Sequence, residues 1–136
     1  MSSPMVSRWP VRISVPLRDG ETDAEGRLTD AAVERISVVG RDAYFDLCTT
    51  VDRSAVEVLG TSTVKGPAAA GNRVSVSANV VEIFPDRVTM MLRVRPAQGE
   101  RSVAADVRCS LSMGDEVTKA MRDEFIALAH SARHTH

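Results

Sequence analysis

The chain has 136 residues, of which 17 are basic and 18 are acidic, so its formal net charge at neutral pH is −1. This length fits a single domain spanning residues 1–136 that buries a core without metal or disulfide support. Because there is no basic block, binding to nucleic acid through phosphate neutralisation is not expected. No apolar run has the length of a membrane span and the first residues lack a signal-peptide pattern, so no membrane partner and a cytoplasmic location are expected.

Hydrophobic residues alternate with polar ones in several segments, the pattern of strands that bury one face. The first such segment is Trp9–Leu17, where Pro10 and Pro16 predict an edge strand for at least part of its length. After a helical segment come further alternating runs at 56–64, 74–80, 88–94 and 103–113, with a bulge indicated at Val80-Val81. The turns between the last three runs, at Pro85-Asp86 and from Pro96 to Gly99, are short enough to predict antiparallel pairing.

Two segments have the period of a helix. The apolar stripe of the longer one consists of Ala32, Ile36, Val39, Ala43 and Leu47. Thr29 or Asp30 is its candidate N-cap, and the small residues Gly40 and Ala43 would let a sheet approach closely. Gly114-Asp115 is expected to end the last strand and to cap a final helix. The order β-α-β-β-β-β-α predicts an α+β fold in which a curved antiparallel sheet of about five strands packs against the long helix.

The acidic loop between the first strand and the long helix carries the strongest functional signal. It reads Asp19-Gly20-Glu21-Thr22-Asp23-Ala24-Glu25-Gly26-Arg27-Leu28-Thr29-Asp30. It places the carboxylate of Asp23 shortly before a helix N-terminus, where backbone N–H groups are unpaired and the helix dipole is positive. A carboxylate facing such an oxyanion site suits cleavage of an activated acyl group. The alternatives are that Asp23 stabilises a turn through its own backbone, and that Asp19, Glu21 and Glu25 form a solvated face.

Other chemistries lack the residues that they require. His130, His134 and His136 lie at the C-terminal end without a Cys or carboxylate cluster, so neither a metal site nor a catalytic triad is expected. Cys48 and Cys109 occupy apolar positions of a helix and a strand, which predicts buried free thiols in a reducing compartment. The end segments 1–8 and 131–136 are expected to be loosely ordered.

The element order and two motifs together resemble the hotdog fold, and more closely the 4-hydroxybenzoyl-CoA-thioesterase-like branch of acyl-CoA thioesterases. That branch shows Asp-x-x-Gly followed by a His-Val-Asn-Asn-like run entering the helix, which corresponds here to residues 23–31. It also tends to show Pro, three residues and Gly-Asp between its second and third strands, which corresponds to residues 67–72. The resemblance covers roughly residues 9–130. Arg27 stands where the branch usually has His, and Thr29-Asp30 stand where it has paired Asn.

This resemblance implies hydrolysis of an acyl-CoA or acyl-carrier thioester, with Asp23 as nucleophile or general base. The backbone N–H of Asp30 would hold the thioester oxygen, and Gly26, Arg27 and Ala31 would contact the substrate. No metal or redox cofactor is implied. It also implies a homodimer or homotetramer, since a curved sheet with open edges leaves backbone groups unpaired. Among the strands after the helix, we expect the Arg73–Phe84 strand to pair across the two-fold axis.

Two alternatives stay open. The residues at Arg27 and Asp30 also fit a hotdog module that binds acyl-CoA or a related small ligand without turnover. Arg27 could contact a CoA phosphate or simply lie on the surface. A hotdog dehydratase is less favoured, because the sequence has no histidine in or near the long helix. The sequence leaves the acyl group and its carrier open.

Overall fold

The computed structural model describes residues 9–98 and 102–134. Their elements are β1 (Val11–Pro16), α1 (Asp30–Asp46), a 3-10 turn (Arg53–Ala55), β2 (Glu57–Lys65), β3 (Arg73–Ile83), β4 (Val88–Pro96), β5 (Ala105–Ser112) and α2 (Lys119–His134). Within this described part, the strands form one five-stranded sheet in the order β1-β3-β4-β5-β2. Every neighbouring pair is antiparallel. The predicted α+β architecture, with an antiparallel sheet and a long helix, is confirmed.

Some of the expectations about chain ends and turns fall on segments that the structure does not describe. Residues 1–8 and 135–136 lie outside the described residues, as do residues 99–101 at the end of the turn predicted from Pro96 to Gly99. Loose order at these ends therefore stays a prediction. Residues 131–134 of the segment predicted to be loosely ordered belong to helix α2, which continues to His134.

Helix α1 packs on the inner face of the sheet, against β1, β3 and β4. The alternation of the strands supplies this face, which includes the fully buried residues Val74, Val76, Val88, Met90, Leu92, Val94, Val107 and Leu111. The buried stripe of α1 is rotated from the predicted one, because Gly40 and Tyr44 are buried whereas Leu47 is 48% exposed. Leu47 is the C-cap of a helix that ends at Asp46, so it lies beyond the helical turns that face the sheet.

Gly40 is the point at which α1 comes closest to the sheet. A Cβ atom at this position would lie 2.9 Å from both Leu92 Cδ2 and Val76 Cγ2. Such distances are shorter than van der Waals contact, so even a methyl group would force neighbouring atoms to move. The predicted close approach of helix and sheet at Gly40 is confirmed.

The sheet order corrects one expectation about assembly. β3 pairs with β4 from Val74 to Ile83, and β1 pairs with its residues 73–78 on the other side. The prediction that the Arg73–Phe84 strand forms an intersubunit edge is therefore wrong for residues 73–78, because the crossover through α1 brings β1 beside them. In the described part of the chain, the edge strands are β1, as its prolines predicted, and β2, whose residues are all exposed.

The structure also tests the predicted bulge in β3 and the predicted start of the final helix. The register of β3 against β4 shifts between Val80 and Glu82, which confirms the predicted bulge. Helix α2 begins later than Gly114-Asp115, because the hydroxyl of Thr118 accepts the N–H of Met121 at 3.1 Å.

We expect Gly40→Leu to unfold the protein or lower its stability by about 1–3 kcal/mol or more, since a large side chain there must displace core atoms. Arg41→Ala, on the adjacent helix position, should change stability little. Thermal unfolding of both variants measures the difference. Equal melting temperatures for the parent and Gly40→Leu would contradict the packing of α1 on the sheet.

Candidate active site

Asp23 begins a tight turn in the loop between β1 and α1. The N–H of Asp23 donates to the carbonyl of Arg27 at 2.8 Å, and the N–H of Gly26 donates to the carbonyl of Asp23 at 3.0 Å. Gly26 has φ of 81°, in the left-handed region that favours glycine. The turn is therefore closed at both ends by backbone hydrogen bonds, and Gly26 has a conformational role in it.

The carboxylate of Asp23 is exposed and interacts with its own turn. Its Oδ1 accepts the N–H of Glu25 at 2.8 Å and the N–H of Arg27 at 3.0 Å. These two bonds, the one from Arg27 first, hold the pKa of Asp23 below its usual range. Asp23 is thus ionised at neutral pH, and its position is fixed by the backbone. Asp23 therefore stabilises its own turn, which was the alternative interpretation of the sequence, and its carboxylate remains charged.

The N-terminus of α1 follows a few residues later. Thr29 is the N-cap, because its hydroxyl accepts the N–H of Ala32 at 3.2 Å, and Asp30 is the first helical residue. The N–H groups of Asp30 and Ala31 have no intrahelical acceptor at this end of a helix. They are consequently available to an oxygen atom placed at the helix start.

An ion pair fixes the loop to the side of α1. The carboxylate of Glu21 accepts from Arg35 Nε at 2.6 Å and from Arg35 Nη2 at 2.7 Å. The carbonyl of Glu21 also accepts the N–H of Thr29 at 2.9 Å. Both side chains of the pair are partly buried, so the expectation of a solvated face is wrong for Glu21, whereas Asp19 and Glu25 are exposed. The Glu21–Arg35 pair sets the position of the turn relative to the helix.

The structure brings the two motifs of the sequence together. The N–H of Ala70 donates to the carbonyl of Gly26 at 2.8 Å, and the N–H of Leu17 donates to the carbonyl of Asn72 at 3.0 Å. A Cβ at Gly26 would lie 3.4 Å from the Cβ of Ala69. The segment after β2 therefore supports the turn that begins at Asp23.

A groove of about 730 Å³ lies between α1 and the edge strand β2. Its walls are Asp30, Val33, Glu34, Ser37, Val38 and Arg41 of α1, Val58, Thr61, Thr63 and Lys65 of β2, and Val107 and Cys109 of β5. Of the predicted site residues only Asp30 lines it. Asp23, Arg27 and Ala31 lie outside it, with Asp23 and Ala31 exposed, and Gly26 is in the turn.

Lys65 is a residue that the sequence analysis missed. It is the last residue of β2, and its Nζ lies 2.6 Å from Asp30 Oδ1. Its charge also contributes to the lowered pKa of Asp23, after the larger effects of the two backbone N–H groups. The only signal in the sequence was that lysine is rare, since Lys65 and Lys119 are the two lysines of the chain.

Other reactive groups in the described residues do not form a second centre. Burial raises the pKa of the Cys48 thiol to about 12, so it is not a thiolate at neutral pH, and the thiol of Cys109 is free and buried. Among the residues described, no cluster of His, Cys, Asp and Glu could hold a metal ion. No helix in the same ranges is both long and apolar enough to cross a membrane.

Comparison with solved structures identifies the fold. The chain is similar to a thioesterase from Thermus thermophilus complexed with coenzyme A and zinc, with a TM-score of 0.77, 21% identity, and coverage of 91% of this chain and 98% of that one. It is similar to a thioesterase-superfamily protein from a Jannaschia species, with a TM-score of 0.75, 14% identity, and coverage of 91% and 86%. It is also similar to a gentisyl-coenzyme A thioesterase, with a TM-score of 0.66, 10% identity, and coverage of 85% and 99%.

These similarities show that the chain shares its fold, the hotdog fold, with these proteins. At such low identity they concern the fold alone, so the 4-hydroxybenzoyl-CoA branch stays a prediction. No family model matches the sequence. No curated protein matches it either.

We expect the Glu21–Arg35 pair to make stability depend on pH. The hydrogen bond from Arg35, with smaller help from the N–H of Arg18 and against the effect of burial, lowers the pKa of Glu21 from 4.5 to about 2. Because the folded-state pKa is depressed, the contribution is complete above pH 4.5 and is lost as the pH falls toward 2. Glu21→Gln should therefore lower the free energy of unfolding by about 1 kcal/mol near neutral pH, and by less at about pH 3.

Urea unfolding of the parent and of Glu21→Gln at these two pH values measures the effect. Glu25→Gln, at an exposed position of the same loop, is the control and should follow the parent. If the difference in free energy of unfolding between the parent and Glu21→Gln is as large at the lower pH as near neutral pH, the ion-pair assignment is contradicted.

Proposed function

We propose that the protein hydrolyses the thioester of an acyl-CoA or of an acyl carrier, with Asp23 as the nucleophile or general base and the N-terminus of α1 as the oxyanion site. The observation that carries this proposal is the ionised carboxylate of Asp23, held by its own turn before the capped start of a helix. The hotdog fold shared with thioesterases supports the same reaction class.

The chemistry follows from the charge of each group. In the nucleophilic route, an oxygen of Asp23 attacks the thioester carbonyl, the C–S bond breaks, and the thiolate leaves and takes up a proton. Water then hydrolyses the resulting mixed anhydride and regenerates the carboxylate. In the general-base route, Asp23 activates the water that attacks directly. A depressed pKa keeps Asp23 charged, as both routes require.

The backbone N–H groups of Asp30 and Ala31 would stabilise the oxyanion that develops in either route. They lie at the positive end of the helix dipole, where negative charge is favoured. Preorganised donors of this kind typically accelerate acyl transfer by about 10²–10³-fold each. In this scheme Gly26 shapes the turn and Arg27 contacts a phosphate of CoA.

The groove beside α1 is our candidate for the pantetheine arm and the acyl group. It opens at Asp30, and the residues of its walls include Val33, Val38 and Val58. The Thermus thioesterase complexed with coenzyme A supports CoA as the carrier.

A second candidate is a hotdog module that binds acyl-CoA without turnover. Two observations favour it: Oδ1 of Asp23 already accepts two backbone hydrogen bonds, and the carboxylate of Asp30 lies at the helix start. Incubation with a panel of acyl-CoAs, following free thiol, separates the two. Release of thiol supports hydrolysis, whereas binding of acyl-CoA with no thiol released supports the binding module.

We expect Asp23→Asn to abolish thioester cleavage while the fold is retained. The amide oxygen can still accept the N–H groups of Glu25 and Arg27, but it is neither a nucleophile nor a base. A loss of about a hundredfold or more in kcat is expected. Asp19→Asn, which removes an exposed acid from the same loop, is the control. If Asp23→Asn hydrolyses the best substrate at the parental rate, the role of Asp23 is wrong.

We further propose that the working unit is at least a homodimer formed through β2. This strand presents unpaired backbone groups along one edge, and its exposed side chains include Val58, Leu59 and Val64. A second copy paired on β2 would extend the sheet and cover the groove that β2 lines. β1 is less suited to such pairing, because Pro16 cannot donate a backbone hydrogen bond. A homotetramer would need a further contact.

We expect Val64→Glu to dissociate the dimer, because it places a charge on the contact edge. Val64 is 68% exposed in the single chain, so the substitution should leave the fold intact. Ile13→Glu on β1, where Ile13 is 37% exposed, is the matched control and should remain dimeric. Light scattering at micromolar concentration measures the mass. A monodisperse parental monomer that still cleaves acyl-CoA would contradict both the interface and the need for it.

A further inference from the structure

The acid at the start of α1 presents an electrostatic conflict. Asp30 is the first helical residue, so its carboxylate is placed beside the N–H groups proposed to hold the oxyanion. The negative charge of a carboxylate interacts favourably with the helix dipole. It also reduces the positive electrostatic potential that a developing oxyanion requires. An uncompensated charge on Asp30 would therefore raise the energy of the transition state.

Lys65 resolves this conflict from another element. Its ammonium lies 2.6 Å from Asp30 Oδ1, and it reaches the helix from the end of β2. The chain is held there by Gly66, whose N–H donates to the carbonyl of Ala104 at 3.0 Å. A Cβ at Gly66 would lie only 2.0 Å from the carbonyl oxygen of Val103, so this position requires glycine. Lys65 is thus presented to Asp30 by a fixed backbone.

A contribution to folding stability does not explain the ion pair between Lys65 and Asp30. The side chain of Lys65 is 41% exposed and that of Asp30 is 92% exposed. Ion pairs in such positions contribute little to folding, because water screens both charges. The pair is instead located where the groove meets the helix start, since both residues line that groove.

We propose that Lys65 is a positioning residue that holds the carboxylate of Asp30 and cancels its charge, so that the N-terminus of α1 can stabilise an oxyanion. This inference rests on the proposed thioester hydrolysis and adds a residue to that site. Lys65 acts through Asp30 and forms no bond with the substrate. A single ammonium on a flexible stem suits this task better than a guanidinium, which would direct several donors into the site.

The test is a charge-removal and rescue experiment that measures steady-state hydrolysis of the best acyl-CoA. Lys65→Met leaves the charge of Asp30 uncompensated and should lower kcat a few-fold, the size expected for an exposed charge that water partly screens, with little change in KM. Adding Asp30→Asn to Lys65→Met removes that charge and should restore kcat to near the parental value. Lys65→Arg, which retains the charge, should keep most of kcat. Lys65→Gln repeats the test if the Met variant does not fold.

The control is Lys119→Met, because Lys119 pairs with Asp123 at 2.8 Å on the distant helix α2. It should leave kcat and KM at parental values. Parental kinetics for Lys65→Met overturns the inference. So does a rise in KM at constant kcat that Asp30→Asn fails to reverse, since that result assigns Lys65 to a phosphate of CoA. A parent protein that releases no thiol from any acyl-CoA overturns the proposed hydrolysis itself, and this inference with it.

Discussion

The arrangement of the molecule depends on how closely α1 packs on the inner face of the sheet. At Gly40 the helix lies so near Val76 and Leu92 that the position has no room for a side chain. This contact lies midway along α1 and holds the axis of the helix against β3 and β4. Because α1 is held there, its N-terminus projects to one end of the sheet, where the loop from β1 and the segment after β2 also arrive. The candidate site is assembled at that meeting point.

The loop that carries Asp23 is held in place through many short contacts. The turn closes on itself through backbone hydrogen bonds, Glu21 ties it to Arg35 of α1, and Ala70 donates to Gly26 from the other side. In the proposed reaction, a carboxylate held in this way would need little reorganisation when charge moves to the substrate, which is how preorganised sites lower a barrier. The hydrogen bonds within the turn also lower the pKa of Asp23, so the contacts that restrain the loop also stabilise the charged form of the proposed nucleophile.

The edge strand β2 belongs both to the candidate site and to the proposed dimer contact. It supplies one wall of the groove through Val58, Thr61 and Thr63, and at its end it supplies Lys65 to the start of α1. A partner chain paired on β2 would lie directly beside the groove. Association and catalysis would then depend on one another, because loss of the partner would open the groove to water and free the strand that presents Lys65.

The sequence by itself determined those features whose physical basis is local. The alternation of apolar and polar residues predicted the strands, and helical spacing predicted α1. The prolines predicted that β1 is an edge strand, and the residue types around Asp23 and Gly26 predicted a turn. Element order together with two short motifs also indicated the hotdog fold. Contacts between residues far apart in the chain were decided only by the tertiary structure: the place of β3 inside the sheet, the pairing of Glu21 with Arg35, and the reach of Lys65 to Asp30. Sequence periodicity fixes which face of an element is apolar, but strand neighbours and ion-pair partners depend on the crossover through α1, for which no local pattern exists.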